Sequence, residues 1–422
     1  MLLSFAVFCL IVVVLIWGIQ YFLFHSPVPM QATLDVARGT ATVIGSDLVQ
    51  QAERGSRDIS DGGVVTTDPQ SQASISVIDF QQSNQLIATI TVKNGSSLDL
   101  EQDSRPRFDW SRDPYWIDMD QAYGSFDVYV PENLDRPILI SLETTLGASA
   151  RLTASGRYTI VAAGNQVQVV NYSGSALLIA PDLHNQLIAA GQTGSIQSGT
   201  AANQFTLVPA STNPLGDSGF APSNVLDMNT PASSDGQVWR CFSSVADPNE
   251  AAGTFGVTDV DGRPAVRLFR DSGAVSHGAT TCLQGLGMSS SGLDVSNYST
   301  ITIRATFKIQ SQSLSTCGTL GSECPFELAM DYVPVNGGQP TTWYHGFYAF
   351  ADPTVAFPLI CQSCIEQHEQ INPGVWYTYE SANLKTTFAP QSVPQVIINL
   401  RFYASGHEYD VYVRNVELRL SP

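Results

Sequence analysis

Six cysteines in the second half of the chain are its most reactive side chains. None occurs between Cys9 and Cys241, and the six are Cys241, Cys282, Cys317, Cys324, Cys361 and Cys364. An even number confined to one region predicts a disulfide framework in an oxidising compartment. One disulfide would close the short glycine-containing loop between Cys317 and Cys324, and Cys241 paired with Cys282 would staple two early strands. The complete connectivity stays open.

Cys361 and Cys364 are separated by two residues and followed by His368, which together supply three ligands of a zinc knuckle. The same spacing also occurs in redox pairs, but the βαβ pattern of thioredoxin-like motifs is missing. We therefore predict a structural disulfide at this position and no metal site.

The segment from Thr342 to Phe350 is dense in aromatic side chains. In a strand, Trp343 and Phe347 would face one way, and Tyr344, Tyr348 and Phe350 the other. One face must be core, and the other could stack on sugar rings. Trp343, Tyr344 and Tyr348 are therefore candidate ligand-binding residues.

A second aromatic stretch, residues 108–120, interrupts the strand pattern of the first half. Trp110 and Trp116 could form a sugar or peptide platform, and the neighbouring aspartates could gather calcium. The alternative is a long loop whose aromatic side chains pack on the sheet. Asp259-Val-Asp261-Gly262 reads as a hairpin turn, with calcium as its alternative. No cofactor beyond such a structural calcium is expected.

Catalytic motifs are weak. Gly216-Asp217-Ser218-Gly219 looks like the nucleophile loop of chymotrypsin-type proteases, but Phe220 replaces the next glycine and only His25 and His184 precede it. The chain contains 38 Asp and Glu, so carboxylate pairs for glycoside hydrolysis can always be nominated. We predict that the protein is not an enzyme and keep a glycan-processing enzyme as an alternative.

The first structural element of the chain is the segment Met1 to Phe24, which carries no charged side chain. This length suffices to cross a bilayer core of about 30 Å, with Trp17, Tyr21 and Phe22 near one interface. Cleaved signal peptides have a basic start and a shorter apolar core, so we predict an uncleaved signal-anchor helix. The first cationic side chain is Arg38, so the flanks do not set the orientation. The cysteines place the body outside the cytoplasm, at the cell surface or in the periplasm.

Composition bounds the partners. The formal net charge is −18, charged residues make up 14% of the chain, and the only lysines are Lys93, Lys308 and Lys385. Such an acidic surface disfavours nucleic acid and anionic lipid as partners. The membrane, through the helix, and a glycan or envelope protein remain as expected partners.

The first region, residues 31–208, shows short runs of alternating apolar and polar residues about ten residues apart. Examples are Ala73 to Ile78, Leu86 to Val92, Phe126 to Val130, Tyr158 to Val161 and Gln166 to Val170, with glycine turns between them. The order of elements resembles the FecR-like domain family at Gly39 to Val43, Asp61 to Ala73, Gly124 to Val128, Gly156 to Ile160 and Ala189 to Gln192. The resemblance implies an extracytoplasmic β-domain that, in signalling members, communicates with partner proteins. Those members carry a cytoplasmic segment that handles a sigma factor, whereas only Met1 to Ser4 occupy that place here.

Residues 209–234 are rich in Ser, Pro, Asn and Gly and predict a linker or an extended first strand of the next domain. The second region, residues 235–422, again alternates, for example from Thr300 to Ile309 and from Val396 to Tyr403, which predicts antiparallel sheets. Its order resembles galactose-binding-like and carbohydrate-binding-module sandwiches at Gln237 to Arg240, Leu293 to Tyr298 and Val411 to Leu418. The resemblance implies a jelly-roll-type β-sandwich that binds glycans, membranes or proteins.

The predicted protein is all-β after one transmembrane helix: residues 1–24 form the anchor, 31–208 a FecR-like β-domain, 209–234 a linker and 235–422 a disulfide-stapled sandwich. The expected function is extracytoplasmic binding or sensing of a glycan or surface protein without catalysis. A FecR-like transmembrane signalling regulator is the first alternative.

Overall fold

The computed structural model describes residues 2–45, 50–82, 84–197, 204–230, 238–271, 273–287 and 292–422; the side chains of 2–4, 50, 51 and 53 are not described. By its contacts the chain divides into two units, Met1–Ala210 and Ser211–Pro422. Each unit is built from β-strands, and the predicted all-β fold class with one N-terminal apolar helix is confirmed.

Helix α1, Leu2–Phe24, opens the first unit. Its window Phe5–Phe24 has 20 residues and a mean hydropathy of 2.6, and none of it is buried. An α-helix of that length rises about 30 Å, the thickness of a bilayer's hydrocarbon core. Length and composition thus make α1 a candidate membrane anchor or signal sequence.

Over its described residues the first unit continues with eighteen strands, most of them short and joined by tight turns. They are β1 Pro27–Pro29, β2 Gln31–Arg38, β3 Ala41–Ile44, β4 Gln50–Glu53, β5 Ser56–Ile59, β6 Gly63–Thr67, β7 Gln72–Asp79, β8 Gln85–Val92, β9 Ser97–Pro106, β10 Tyr115–Val130, β11 Ile138–Thr144, β12 Ser149–Leu152, β13 Gly156–Ala163, β14 Gln166–Ser173, β15 Ala176–Ile179, β16 Asn185–Ile188, β17 Gln192–Gln197 and β18 Thr206–Pro209.

Two sheets enclose the core of this unit, and β10 belongs to both. One sheet runs β4-β3-β6-β9-β10-β11-β12-β15-β16, with β1 also paired to β9. The other runs β5-β2-β7-β8-β10-β13-β14-β17-β18. Strand β10 changes sheet near Gln121 and Gly124, whose φ angles are 50° and 107°. A side chain at Gly124 would meet Ser96, so this bend requires glycine.

In the part of the second unit that the structure describes there are thirteen strands and one short α-helix. They are β19 Val225–Asp227, β20 Trp239–Val245, β21 Thr254–Val260, β22 Arg263–Arg270, β23 Gly278–Gly285, β24 Leu293–Asp294, β25 Thr300–Gln312, β26 Phe326–Pro334, β27 Thr341–Tyr348, β28 Glu369–Gln370, β29 Tyr377–Glu380, α2 Leu384–Thr387, β30 Pro394–Gly406 and β31 Tyr409–Ser421.

These strands form a β-sandwich. The larger sheet runs β19-β20-β23-β30-β26-β27-β28, with β24 attached to β30, and the smaller runs β21-β22-β31-β25-β29. Large aromatic side chains fill the space between the sheets: Phe307 of the smaller sheet lies 3.9 Å from Phe326 and 4.7 Å from Phe347 of the larger one, centroid to centroid. Alternate residues of each strand therefore point into this core or away from it.

The segment predicted as a linker is packed into the second unit over its described residues. Phe220 is fully buried, with its ring centroid 5.5 Å from that of Trp239 and 5.4 Å from that of Phe402. Residues Val225–Asp227 form β19, parallel to β20. Of the two alternatives expected for residues 209–234, the described residues 211–230 fit an extended beginning of the second unit rather than a linker, and Phe220 supplies the apolar anchor that the Ser- and Pro-rich composition hides. Residues 231–234 lie outside the described part.

Candidate functional site

The face of the larger sheet that points away from the core, here called the outer face, collects polar and aromatic side chains from five strands. Strand register sets them in three rows: Arg240, Leu283, Arg401, Ala329 and Tyr344; Phe242, Thr281, Tyr403, Glu327 and Gly346; and Gly285, Asn399, Asp331 and Thr342. Strand alternation places them together, since Leu400, Phe402, Leu328 and Met330 between them are core residues.

Asp331 is the hub of the third row. Its Oδ1 accepts a hydrogen bond from Thr342 Oγ1 at 2.6 Å, and its Oδ2 accepts from Asn399 Nδ2 at 2.8 Å and Arg401 Nη1 at 3.0 Å. The Arg401–Asp331 ion pair is about three-quarters buried, with side chains 24% and 21% exposed. The charged guanidinium is thus held in one orientation, which preorganises it for a ligand.

Tyr344 stands beside Arg401 in the first row. Arg401 Nη2 lies 3.4 Å from the Tyr344 hydroxyl, and the guanidinium carbon is 5.8 Å from the ring centroid. The Tyr344 side chain is half-buried, so part of it remains accessible to solvent. A partly accessible aromatic ring next to fixed donors and acceptors can stack on a sugar ring while the polar groups pair with the sugar hydroxyls.

Glu327 and Tyr403 occupy the second row. The Glu327 side chain is 1% exposed, and burial raises the pKa of its carboxyl from 4.5 to about 7, against the opposing effects of Tyr403 and Arg401. Burial, followed by the Glu327 carboxylate, raises the pKa of Tyr403 far above its ordinary range. Near neutral pH, the Glu327 side chain is therefore a mixture of the protonated acid and the carboxylate.

Three disulfides join Cys241 to Cys282, Cys317 to Cys324 and Cys361 to Cys364. This pairing includes the two bonds that the spacing of Cys317–Cys324 and the strand positions of Cys241 and Cys282 suggested. The first links directly opposed residues of β20 and β23. The other two cover the Gly346 end of the outer face.

His368 fixes this covered end. Its Nδ1 accepts from the Gly346 backbone N–H at 3.0 Å, and its Nε2 donates to the Gly321 carbonyl at 2.7 Å. Burial lowers the pKa of the imidazole, which matches a neutral ring with one donor and one acceptor. The cysteine sulfurs that approach His368 are held in disulfides, so the zinc alternative would need them reduced.

The aromatic strand keeps only one of its three candidate ligand residues open. Trp343 is 1% exposed and faces the core with Phe347, so it cannot stack on a ligand. Tyr348 faces outward but is 6% exposed beneath the Cys317–Cys324 disulfide. The alternation of side chains assigned these residues correctly to two faces of the strand but did not show which face was the core. Nothing in the sequence showed that the loop from Cys317 to Cys324 covers Tyr348. Tyr344 alone remains accessible.

The residues that sequence reasoning missed are Asp331, Asn399, Arg401 and Tyr403. Part of the signal was present, because Asn399, Arg401 and Tyr403 alternate with apolar residues in β30 and must share one face. Asp331 lies on a different strand, and only the register of β26 against β30 brings it to Arg401.

Trp110 and Trp116 both belong to the first unit and have different surroundings. Trp110 is 59% exposed, stacks on Phe108 with centroids 4.6 Å apart, and donates from Nε1 to the Leu23 carbonyl at 3.1 Å. Trp116 is 42% exposed on β10. The expected alternative, aromatic packing on the sheet, is also incomplete for Trp110, which stacks on Phe108 of the same loop and bonds to the end of α1.

The carboxylates considered for calcium are engaged by the protein. Asp109 binds Arg105, Asp113 binds His25, and Asp261 accepts from Trp376 at 3.1 Å and Arg414 at 3.0 Å. Asp118 and Asp120 lie on β10 instead, near Asp99, whose pKa is raised by burial and by Asp120. The aspartates of residues 108–120 are thus dispersed, and calcium binding stays a prediction.

No protein-family model and no curated relative match the chain. Among solved structures, a proposed anti-sigma factor from Parabacteroides distasonis is 10% identical with a TM-score of 0.22, covering 29% of this chain. The chain spans about half of that protein, 51% of its length.

Two carbohydrate-binding modules are also similar. One, solved with β-1,4-galactotriose, is 13% identical with a TM-score of 0.25 and covers 49% of this chain and 97% of its own. A family 11 module from Clostridium thermocellum is 11% identical with a TM-score of 0.24 and covers 43% and 86%. Likenesses of this size assign no family. The class that the structure itself defines is a two-unit β-protein with a disulfide-bonded sandwich.

Proposed function

We propose that the protein is a membrane-anchored binding protein whose body lies outside the cytoplasm and whose second unit binds a glycan on the outer face. The observation that carries the proposal is the group of Tyr344, Arg401 and Asp331. It joins a partly accessible aromatic ring to a guanidinium fixed by a mostly buried carboxylate. Sites for polar ligands commonly combine such a stacking surface with a few convergent polar groups.

Two further features support this reading. The disulfides favour an oxidising compartment. The 20-residue apolar window of α1 suits an uncleaved anchor.

The test uses the full chain in lipid nanodiscs on an array of envelope polysaccharides and β-linked oligosaccharides. Tyr344→Ala and Arg401→Ala should each weaken binding about tenfold or more, equivalent to about 1.4 kcal/mol. The matched controls are Tyr412→Ala and Arg267→Ala in the smaller sheet, where Arg267 forms a comparable pair with Asp410 at 2.8 Å. These controls should bind like the parent protein. Absence of binding to every glycan, or equal losses in both pairs of variants, contradicts the proposal.

A FecR-like signalling regulator is the second candidate. The observation that favours it is that the C-terminal end of α1 is hydrogen-bonded to the loop after β9, for example Leu23 to Trp110. Through these bonds, a movement of the β-strands would reach the helix. Crosslinking from α1 in intact cells tests it. A membrane partner captured through the helix supports signalling, whereas recovery of no partner leaves the helix as a tether.

A further inference from the structure

Residues 107–113, here called the aromatic loop, follow β9 and contact the C-terminal end of α1. Trp110 Nε1 donates to the Leu23 carbonyl, and Ser111 Oγ donates to the Phe24 carbonyl. The last carbonyls of a helix have no partner inside it and need donors from elsewhere. The aromatic loop thus provides two donors for the end of α1.

Further contacts join the two segments. The Arg107 N–H donates to the Ser26 carbonyl at 2.9 Å, its guanidinium lies 5.3 Å from the Phe22 ring centroid, and His25 Nδ1 is 2.7 Å from Asp113 Oδ2. The rings of Phe22 and Phe108 meet edge to face at 5.7 Å. Together, these contacts fix the position of the aromatic loop along the axis of α1.

The β-sheets hold the aromatic loop from the other side. Arg105, 2% exposed, binds Asp109 of the loop and also Asp79 of β7 at 2.7 Å. Arg136 Nη2 lies 3.7 Å from the same Asp109 carboxylate. Because the buried Arg105 binds both the loop and the sheet, the aromatic loop has little conformational freedom. The exposed side of the loop is therefore held in a fixed orientation.

The position of the aromatic loop along the helix axis follows from the length of α1. If Phe5–Phe24 fills a hydrocarbon core of about 30 Å, then Leu23 and Phe24 lie at its boundary. The loop that bonds their carbonyls must lie at that same level. Trp110 is 59% exposed, and Tyr21 and Phe22 of α1, close to the same level, are also exposed. Tryptophan favours this boundary because its ring is apolar and its N–H is polar.

We infer that the aromatic loop is a second membrane contact, seated in the headgroup region of the bilayer beside the end of α1, with Trp110 as its principal lipid-contacting side chain. This inference rests on the proposed membrane anchor. It assigns Trp110 to lipid rather than to a sugar. The acidic chain predicts no preference for anionic lipid, so the partner is a zwitterionic phosphatidylcholine surface.

The test is tryptophan fluorescence of the full chain in phosphatidylcholine nanodiscs brominated either near the headgroup or deep in the acyl chain. Trp110→Phe should lose the emission that shallow bromines quench. Trp17→Phe should lose emission quenched by deeper bromines, since Trp17 lies about 10 Å further along the helix. Trp239→Phe is the control, because Trp239 is fully buried in the second unit and its emission should be unquenched.

The outcomes separate the inference from the anchor on which it rests. If Trp17 is quenched and Trp110 is not, the loop contact is overturned while the anchor stands. If Trp17 is unquenched, the anchor itself fails. Should Trp110→Phe not reconstitute, 19F resonances of fluorotryptophan in the unsubstituted chain give the same answer. Paramagnetic headgroup lipid should broaden the Trp110 resonance, and an unaffected resonance rejects the contact.

Discussion

Trp343 and Tyr344 are neighbours in the sequence and lie on opposite sides of the larger sheet. Trp343 is 1% exposed, and its indole N–H is buried with no partner among the described residues. Tyr344 meets Arg401 on the outer face. The candidate site therefore depends on which of two adjacent aromatic residues is turned outward, and a one-residue slip of β27 would exchange them.

Glu327 should make the stability of the second unit depend on pH. Its pKa rises from 4.5 to about 7 in the folded protein, so between these values the folded chain holds a proton that the unfolded chain releases. The free energy of unfolding therefore falls as pH increases through this window, by ~3 kcal/mol in all. Glu327→Gln should remove that decline, as measured by denaturant unfolding between about pH 5 and about pH 8.

Asp103 offers the matched control in the first unit. Burial and the neighbouring Asp61 carboxylate raise its pKa from 3.8 to about 6. Asp103→Asn should flatten the pH dependence of the first unit's transition and leave the second unit's unchanged. If Glu327→Gln leaves the pH dependence of the second unit intact, the buried carboxyl is not its source.

At the scale of elements, much of the strand pattern could be predicted from the sequence. Alternation located β7, β8, β25 and β30, because one buried and one exposed face impose a period of two. Turn glycines such as Gly62 and Gly95, both at positive φ, marked the ends of strands.

The packing of the 211–230 segment and the covering of Tyr348 could not be predicted. Both depend on contacts between residues far apart in sequence: Phe220 with Phe402, and Tyr348 with the Cys317–Cys324 bond. Local periodicity carries no information about such partners. For the same reason, the ion pair between Arg401 and Asp331 could not be predicted from the sequence.

The disulfides should differ in their contribution to stability. Cys241 and Cys282 are separated by 41 positions, whereas Cys361 and Cys364 are separated by 3. Because a longer closed loop restricts the unfolded chain more, loss of the first should cost about 4 kcal/mol and loss of the third about 1.5 kcal/mol. Paired alanine variants, Cys241→Ala with Cys282→Ala against Cys361→Ala with Cys364→Ala, compared by denaturant unfolding, measure the difference. Equal costs would show that loop entropy is not the main contribution.

At the scale of the whole molecule, the two units should respond differently to a reductant. All three disulfides lie within Ser211–Pro422, and Cys9 is the only cysteine of Met1–Ala210. Calorimetry of the full chain in detergent should resolve two transitions, of which a reductant lowers one. Transitions that shift together would mean that the units unfold as one cooperative body.

Strand β10 also constrains the order in which the first unit can be made. It pairs with β8 and β9, which precede it, and with β11 and β13, which follow it. The sheet that holds β9 and β11 cannot close around β10 until Thr144 has been synthesised, and the sheet that holds β8 and β13 cannot do so until Ala163 has been synthesised. Until then, β10 keeps an unpaired edge in that sheet. Non-local pairing of this kind folds slowly and exposes the waiting segments to aggregation. If the protein is exported while still unfolded, a chaperone would therefore be needed to prevent aggregation of the earlier strands until β13 can pair with β10.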